Sequence, residues 1–189
     1  VTGLVVVAVK GRHAERRPLA VGGVLAAVPI VLMGVQPDAA TSVPQIHDIS
    51  TDLIEPPRFE AVPNERPDGA NPLEYDEARR TEISRAQKGA YPDVQPIRTD
   101  MQPDAAFEHA LETARGMGWE IVATDPDAGR IEATATTFWY GFKDDVVIRV
   151  RAMGTGSRVD LRSVSRYGRS DLGKNAERIR GFIERFNTG

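Results

Sequence analysis

The residues best suited to chemistry are arginines spaced along two segments that have the alternating pattern of β-strands. Alternation with a period of two places every second side chain on the same face of a sheet. Guanidinium groups on such a face would form a cationic surface that suits an anionic ligand. The candidate anion-binding residues of these two segments are Arg149, Arg151, Arg162 and Arg166.

The turn between the two segments decides which arginines lie opposite each other. A turn at Thr155-Gly156 would place Arg149 opposite Arg162. Two facing arginines repel each other unless an anion or a carboxylate lies between them. Two interpretations therefore remain open. One is a solvated face whose charges pair with one another, with Glu132 on the neighbouring strand as an internal partner, and the other is an anion-binding face.

A second candidate anion site follows Arg166, where the chain enters its last helix. Backbone N–H groups at the start of a helix bind anions, and Arg169, Ser170 and Lys174 would add hydrogen bonds and positive charge. Alternatively, Ser170 or Asp171 caps this helix and occupies some of those N–H groups. The glycine spacing matches neither a Walker loop nor a dinucleotide-binding fingerprint.

Between the predicted second and third strands lies an aromatic turn that contains Gly141. Its aromatic side chains would close the end of the core if buried, and would form an interaction tip for a lipid surface or a partner protein if exposed. Lys143 and two aspartates follow the turn, but paired carboxylates act as acid and base only in contrasting environments. The residues of this candidate tip are Phe138, Trp139, Tyr140 and Phe142.

Composition excludes several classes of function. The chain has no cysteine, which rules out disulfides, thiolate zinc sites and thiol catalysis. Its three histidines are far apart, and we expect His47, Asp48 and Asp52 to make local turn and capping hydrogen bonds rather than a metal site. The net charge of −3 gives no signal for nucleic acid. We therefore predict no catalytic residues, no metal, no cofactor and no nucleic-acid partner.

The elements that would position these residues form a clear pattern over residues 99–189. A helix after Gln102 has the apolar stripe Phe107, Ala110, Leu111, Ala114 and Met117, and a last helix has the stripe Ala176, Ile179, Ile183 and Phe186. Four alternating segments lie between them. This order predicts an α+β domain of two layers, a four-stranded antiparallel meander with both helices on one face, like the helix-grip and TATA-binding-protein-like folds. The other sheet face would be open.

Residues 1–36 have the pattern of a membrane anchor. Residues 19–35 contain no charge, and the basic loop at residues 10–17 precedes them. We predict a transmembrane span over 19–35 after the end of an earlier span, with the domain on the periplasmic side of the inner membrane. A cleaved signal peptide, a twin-arginine signal and a buried soluble helix are the alternatives. The cleavage site of the first would place Asp38 at an unsuitable position.

We predict that residues 37–98 form a proline-rich arm that joins the anchor to the domain. The recurrent prolines forbid long helices and central strands. We expect residues 44–54 to dock along the domain as an ordered extended segment. A short surface helix near residues 73–88 is the one helical pattern in this region.

The chain contains seven short motifs in a fixed order, namely residues 46–52 (IHDISTD), 56–57 (PP), 91–92 (YP), 118–120 (GWE), 129–134 (GRIEAT), 141–146 (GFKDDV) and 163–175 (SVSRYGRSDLGKN). Together they resemble the motifs of a bacterial and plastid family called domain of unknown function 1499. The resemblance covers roughly residues 43–187, and members of that family commonly carry N-terminal membrane helices or an export signal. It implies no catalytic residue and no substrate.

Three hypotheses for the function follow from the sequence. The first is a membrane-anchored extracytoplasmic binding or assembly module that contacts another envelope protein. The second is a carrier of a small anionic or amphipathic ligand, lipids included. The third, a hydrolytic or transfer enzyme, is the least favoured because no spacing of nucleophile and base is apparent.

Overall fold

The structure, a computed structural model, describes residues 44–137 and 141–189. The predicted anchor at residues 1–36, with its span at 19–35, lies outside the described residues, as do Phe138, Trp139 and Tyr140 of the aromatic turn. None of the helices in the described ranges is long and apolar enough to cross a bilayer.

The helices and strands of the described chain are short in its first half and mostly longer in its second half. The strands are β1 (Asp48–Ser50), β2 (Ile97–Thr99), β3 (Glu120–Asp125), β4 (Arg130–Thr136), β5 (Lys143–Met153) and β6 (Gly156–Ser165). The α-helices are α1 (Arg80–Ala90), α2 (Pro103–Gly116) and α3 (Lys174–Thr188), and short 3-10 helices cover Val62–Glu65 and Glu77–Arg79.

The two long helices form where the sequence predicts them. Helix α2 begins with a proline, whose missing N–H costs nothing in the first turn, and Gly118 adopts a φ of 76° just after its end. Its predicted apolar stripe is buried, with Met117 partly so. Helix α3 buries Ala176, Ile179 and Phe186 as expected. It also buries Phe182, which stacks on Trp119 at 5.5 Å between ring centroids.

All strands belong to one antiparallel sheet, in which β3, β4, β5 and β6 form the predicted meander. The predicted count of four strands is wrong, because the sheet formed by the described residues has six. Strands β1 and β2 come from the arm and its junction with the domain. Both pair with the free edge of β6, β1 through Asp48 opposite Val164 and β2 through Ile97 opposite Val159. This pairing covers an edge that would otherwise offer unpaired backbone groups.

The predicted register between β5 and β6 is wrong by two residues. Arg149 lies opposite Asp160, and Val147 lies opposite Arg162. The turn is at Gly154-Thr155, where Gly154 has a φ of 62°, a conformation that glycine adopts freely at the first position of a two-residue hairpin turn. Gly156 is needed for another reason: a Cβ there would come within 2.1 Å of the Thr99 carbonyl oxygen in β2.

The expected open face of the sheet is covered by the arm. The predicted core face packs under α2 and α3, while the opposite face is a buried polar layer under residues 51–75. Glu132 is 1% exposed and accepts hydrogen bonds of 2.8 to 3.1 Å from the backbone N–H groups of Glu60, Ala61 and Val62. Of residues 44–54, which we expect to dock along the domain, Asp48–Ser50 pair with β6 as strand β1, whereas the side chain of Ile54 is exposed.

The surface helix of the arm begins later than the predicted residue 73. Asp76 accepts a hydrogen bond from the Arg79 N–H, and α1 follows from Arg80. The preceding residues Leu73 and Tyr75 stay out of the helix because they contact the buried side chain of Arg162 in the polar layer.

Candidate functional site

Arg149 and Arg151 lie together in the polar layer, but they already have carboxylate partners. Arg149 Nη2 is 3.2 Å from Asp52 Oδ2 and 3.0 Å from Asp160 Oδ2. Arg151 Nη2 contacts the same two oxygens at 3.3 and 3.1 Å, and Arg158 pairs with both carboxylates as well. This group of three arginines and two aspartates is a network of internal ion pairs.

Arg162 lies fully buried at a separate point of the same layer. Its Nε and Nη2 donate to Asp48 at 2.9 and 2.7 Å, in the two-pronged geometry that favours a guanidinium–carboxylate pair. Its remaining hydrogen bonds go to the carbonyl oxygens of Pro57 and Leu73. The ring centroids of Phe59 and Tyr75 lie 5.5 and 5.4 Å from the guanidinium carbon.

Arg166 lies at the far end of β6 and shares a carboxylate with another arginine. Its Nη2 is 2.8 Å from Asp145 Oδ1, and Arg66 Nε is 3.0 Å from Asp145 Oδ2. The hydrogen bond to Asp145 raises the pKa of Arg166, whereas burial lowers the pKa of Arg66. Glu132, the expected partner of the strand arginines, instead pairs with Arg130 at 3.2 Å.

The second predicted anion site is arranged as a helix cap. Asp171 accepts hydrogen bonds from the N–H groups of Gly173 and Asn175 at 3.0 and 2.6 Å, so these donors are occupied by the chain's own carboxylate. Burial raises the pKa of Asp171, and the N–H groups oppose that rise. Ser170 contacts the Pro44 carbonyl oxygen, and Lys174 pairs with Glu177. Arg169 lines a different cavity.

The seven predicted anion-binding residues therefore do not gather at one site, and their binding role stays a prediction. Of the predicted interaction tip, the described residue is Phe142, which is largely exposed. Its role also stays a prediction.

The structure reveals a groove that the sequence did not indicate. It has a volume of about 380 Å³ and lies between the arm, the segment before α1 and the start of α1. Arg162 lines its base, and Ile54 at its rim is 89% exposed. Arg80 holds the two walls together, because its Nη1 donates to the carbonyl oxygens of Leu53 and Ile54. The lining residues are Ile54, Glu55, Pro56, Arg58, Phe59, Pro63, Leu73, Glu74, Tyr75, Glu77, Arg80 and Arg162.

A smaller cleft of about 160 Å³ adjoins this groove, and Glu55, Pro56 and Arg58 line both. The cleft, but not the groove, is also lined by Arg130, Arg149 and Glu60. Sequence reasoning missed the groove because residues 51–63 have no helical or strand periodicity. Phe59, directly after Pro56-Pro57-Arg58, and Tyr75 are the aromatic signals that could have drawn attention to it.

The groove and the cleft differ in their lining from the predicted anion sites. Their walls combine aromatic, proline and aliphatic surface with arginine donors, a combination found in ligand pockets. Within the described ranges, no group of three or more histidine, cysteine, aspartate or glutamate residues could hold a metal ion.

Comparison with known proteins identifies a family without an assigned activity. The model of the family described as "Protein of unknown function (DUF1499)" matches residues 48–186. No curated protein gives a significant match to the sequence.

Two solved structures resemble part of the fold. CalU16 from Micromonospora echinospora is 14% identical, with 49% of this chain and 73% of that chain covered and a TM-score of 0.35. TTHA0849 from Thermus thermophilus is also 14% identical, with 49% and 94% covered and a TM-score of 0.30. Scores at this level carry no functional argument.

Asp52 links the arm to the arginine network, and its environment predicts a pH dependence. Burial raises the pKa of this carboxyl, but the N–H groups of Glu55 and Ile54 and the charges of Arg158 and Arg149 outweigh it, so its pKa is lowered overall. A lowered carboxyl pKa stabilises the fold above the unfolded-state value of about 3.9, and this contribution disappears as the pH falls through the folded-state value.

We therefore expect Asp52→Asn to reduce the free energy of unfolding by about 2 kcal/mol at pH 7, because it removes hydrogen bonds to a charged acceptor. The difference from the native chain should shrink below about pH 4. Urea unfolding at several pH values measures it, with the exposed Asp127→Asn as the control, for which we expect a change under about 0.5 kcal/mol. A difference that is the same at pH 7 and pH 3 would contradict the prediction.

Proposed function

Since the chain belongs to the DUF1499 family, whose description assigns no activity, we propose from the site itself that it is a binding module without catalytic activity. The observation that carries this proposal is the groove over Arg162. It is a concave surface whose lining includes the aromatic side chains of Phe59 and Tyr75. Concave, largely apolar sites with a few fixed polar groups are the usual form of ligand pockets.

The fixed geometry of the groove favours binding because little order has to be gained when a ligand enters. Arg162 is held by four hydrogen bonds, and it holds Phe59 and Tyr75 in place through ring contacts. A second ring contact places the Arg80 guanidinium 5.0 Å from the Tyr75 ring. A preformed site loses less conformational entropy on binding than a flexible one.

The lining of the groove does not favour a hydrolase. It contains no serine, threonine, cysteine, histidine or lysine, and its carboxylates are those of Glu55, Glu74 and Glu77. Glu77 forms an ion pair with Arg80, whose hydrogen bond lowers the pKa of that carboxyl. A general acid at neutral pH would need the opposite shift.

The groove is tested by placing a reporter at its rim. Because the chain contains no cysteine, Ile54→Cys and the control Leu172→Cys can each carry one ¹⁹F label on the full chain in lipid nanodiscs. With the neutral aromatic probe N-phenyl-1-naphthylamine, we expect a saturable shift of the label at position 54 and none at position 172. Phe59→Leu should weaken the binding about 5-fold, because an aromatic contact contributes about 1 kcal/mol. Equal shifts at both positions, or no saturation, would contradict the groove as a binding site.

The membrane anchor is a second part of the proposal, and it rests on the uncharged residues 19–35 after a basic loop. It would hold the binding module on the periplasmic side of the inner membrane, where a lipid, a small anionic molecule or another envelope protein could occupy the groove.

Anchoring predicts that the full chain stays in the membrane pellet after alkaline carbonate extraction. It also predicts that protease added to spheroplasts cleaves the domain. A version that lacks residues 1–36 should appear in the soluble fraction. Extraction of the full chain by carbonate, or protection of the domain until the spheroplasts are lysed, would disprove this arrangement.

A further inference from the structure

Two arginines lie directly opposite each other in the sheet without a shared carboxylate between them. Arg130 of β4 pairs in register with Arg149 of β5, and both side chains line the 160 Å³ cleft. Like charges in this position destabilise a sheet unless an opposite charge separates them. The next opposed pair, Arg151 and Arg158, meets this need, because Asp52 contacts both guanidinium groups.

The partners of Arg130 and Arg149 belong to two separate sets. Arg130 pairs with Glu60, Asp125 and Glu132, and Arg149 pairs with Asp52 and Asp160. The hydrogen bonds of Arg149 to Asp52, to Asp160 and to the carbonyl oxygen of Glu55 are all donated by Nη2. Its Nε is buried without a hydrogen-bond acceptor among the described residues. A buried donor left without an acceptor is costly to the fold.

Arg58 provides a third positive charge at the boundary of the two cavities. It lines both the cleft and the groove, and it forms no ion pair within the described ranges. Two carboxylates, Glu55 and Glu60, also line the cleft, but their side chains are 67% and 65% exposed. Water screens these exposed carboxylates and the exposed Arg58 alike, whereas the side chains of Arg130 and Arg149 are mostly buried in the wall.

We propose that this cleft binds the phosphate group of an amphipathic ligand whose apolar part lies in the adjoining groove. The inference rests on the proposed function, since the groove supplies the apolar half of the site. Guanidinium groups bind phosphate oxygens through parallel hydrogen bonds, and three arginines line the cleft. The phosphate belongs to a membrane lipid or to a soluble phosphomonoester, and the experiment separates these sources.

The experiment uses the full chain with the label at Ile54→Cys, in nanodiscs of phosphatidylcholine, titrated with octyl phosphate, 1-octanol and inorganic phosphate. Octyl phosphate should bind saturably and at least about 10-fold more tightly than 1-octanol, as one charged bidentate contact requires. Inorganic phosphate should compete with octyl phosphate but not with 1-octanol.

The matched variants are Arg149→Gln and Arg151→Gln, since both residues pair with Asp52 and Asp160 but only Arg149 lines the cleft. Arg149→Gln should weaken octyl phosphate binding about 10-fold and leave 1-octanol binding unchanged, whereas Arg151→Gln should change neither by more than about 2-fold. Arg58→Gln gives a second test that does not depend on folding, because Arg58 is exposed and unpaired in the described chain. Its control is Arg115→Gln on α2.

Equal effects of Arg149→Gln and Arg151→Gln, together with no effect of Arg58→Gln, would overturn the phosphate site. If N-phenyl-1-naphthylamine still shifts the label at position 54 in that case, the groove and the proposed function stand. Nanodiscs that contain phosphatidic acid identify the source. If the ligand is a lipid, phosphatidic acid alone shifts the label and blocks the binding of octyl phosphate. If the ligand is soluble, the octyl phosphate titration is the same as in nanodiscs of phosphatidylcholine. Saturable binding of octyl phosphate supports the phosphate site in both cases.

Discussion

The carboxylate of Glu132 is the contact on which the arrangement of the arm depends. It lies buried in the middle of the sheet and accepts the backbone N–H groups of three successive arm residues, Glu60, Ala61 and Val62. A buried carboxylate is tolerated only when it is paired and hydrogen-bonded, and these N–H groups lie at the start of the 3-10 helix Val62–Glu65, where no carbonyl oxygen of the helix accepts them. Each group therefore requires the other, and together they hold the arm against the polar face of the sheet.

The same requirement extends across that face. Arg162 with Asp48, Arg166 with Asp145, and Asp160 with its three arginines are charges that would be ordinary on an open surface. Under the arm they must be paired, because an uncompensated buried charge is strongly destabilising. Where the arm passes over Arg162 on the rings of Phe59 and Tyr75, it leaves a groove. Where it passes Arg130 and Arg149, it leaves a smaller cleft.

Local patterns in the sequence were enough to predict the core but not the second face. Alternation around Ile131 and Ile148 predicts that one sheet face is buried, and the stripe from Phe107 to Ala114 predicts that α2 packs on it. The structure confirms both predictions. A strand with one polar face has the same pattern whether that face meets water or a buried arm, so Glu132 and Arg162 gave no sign of their burial. The register failed because Gly154 and Gly156 both suit a turn. The close approach of Thr99, which only the structure reveals, explains the second glycine.

Hydrogen exchange of the amide groups of Glu60, Ala61 and Val62 tests most directly whether the arm is an integral layer of the fold. These amides bind a buried carboxylate, so they should exchange with an opening free energy within about 2 kcal/mol of the value for global unfolding, as the amides of β4 do. Glu132→Gln should lower the protection of all three together. Exchange of these amides at the rate of an unstructured chain, while β4 stays protected, would contradict the account.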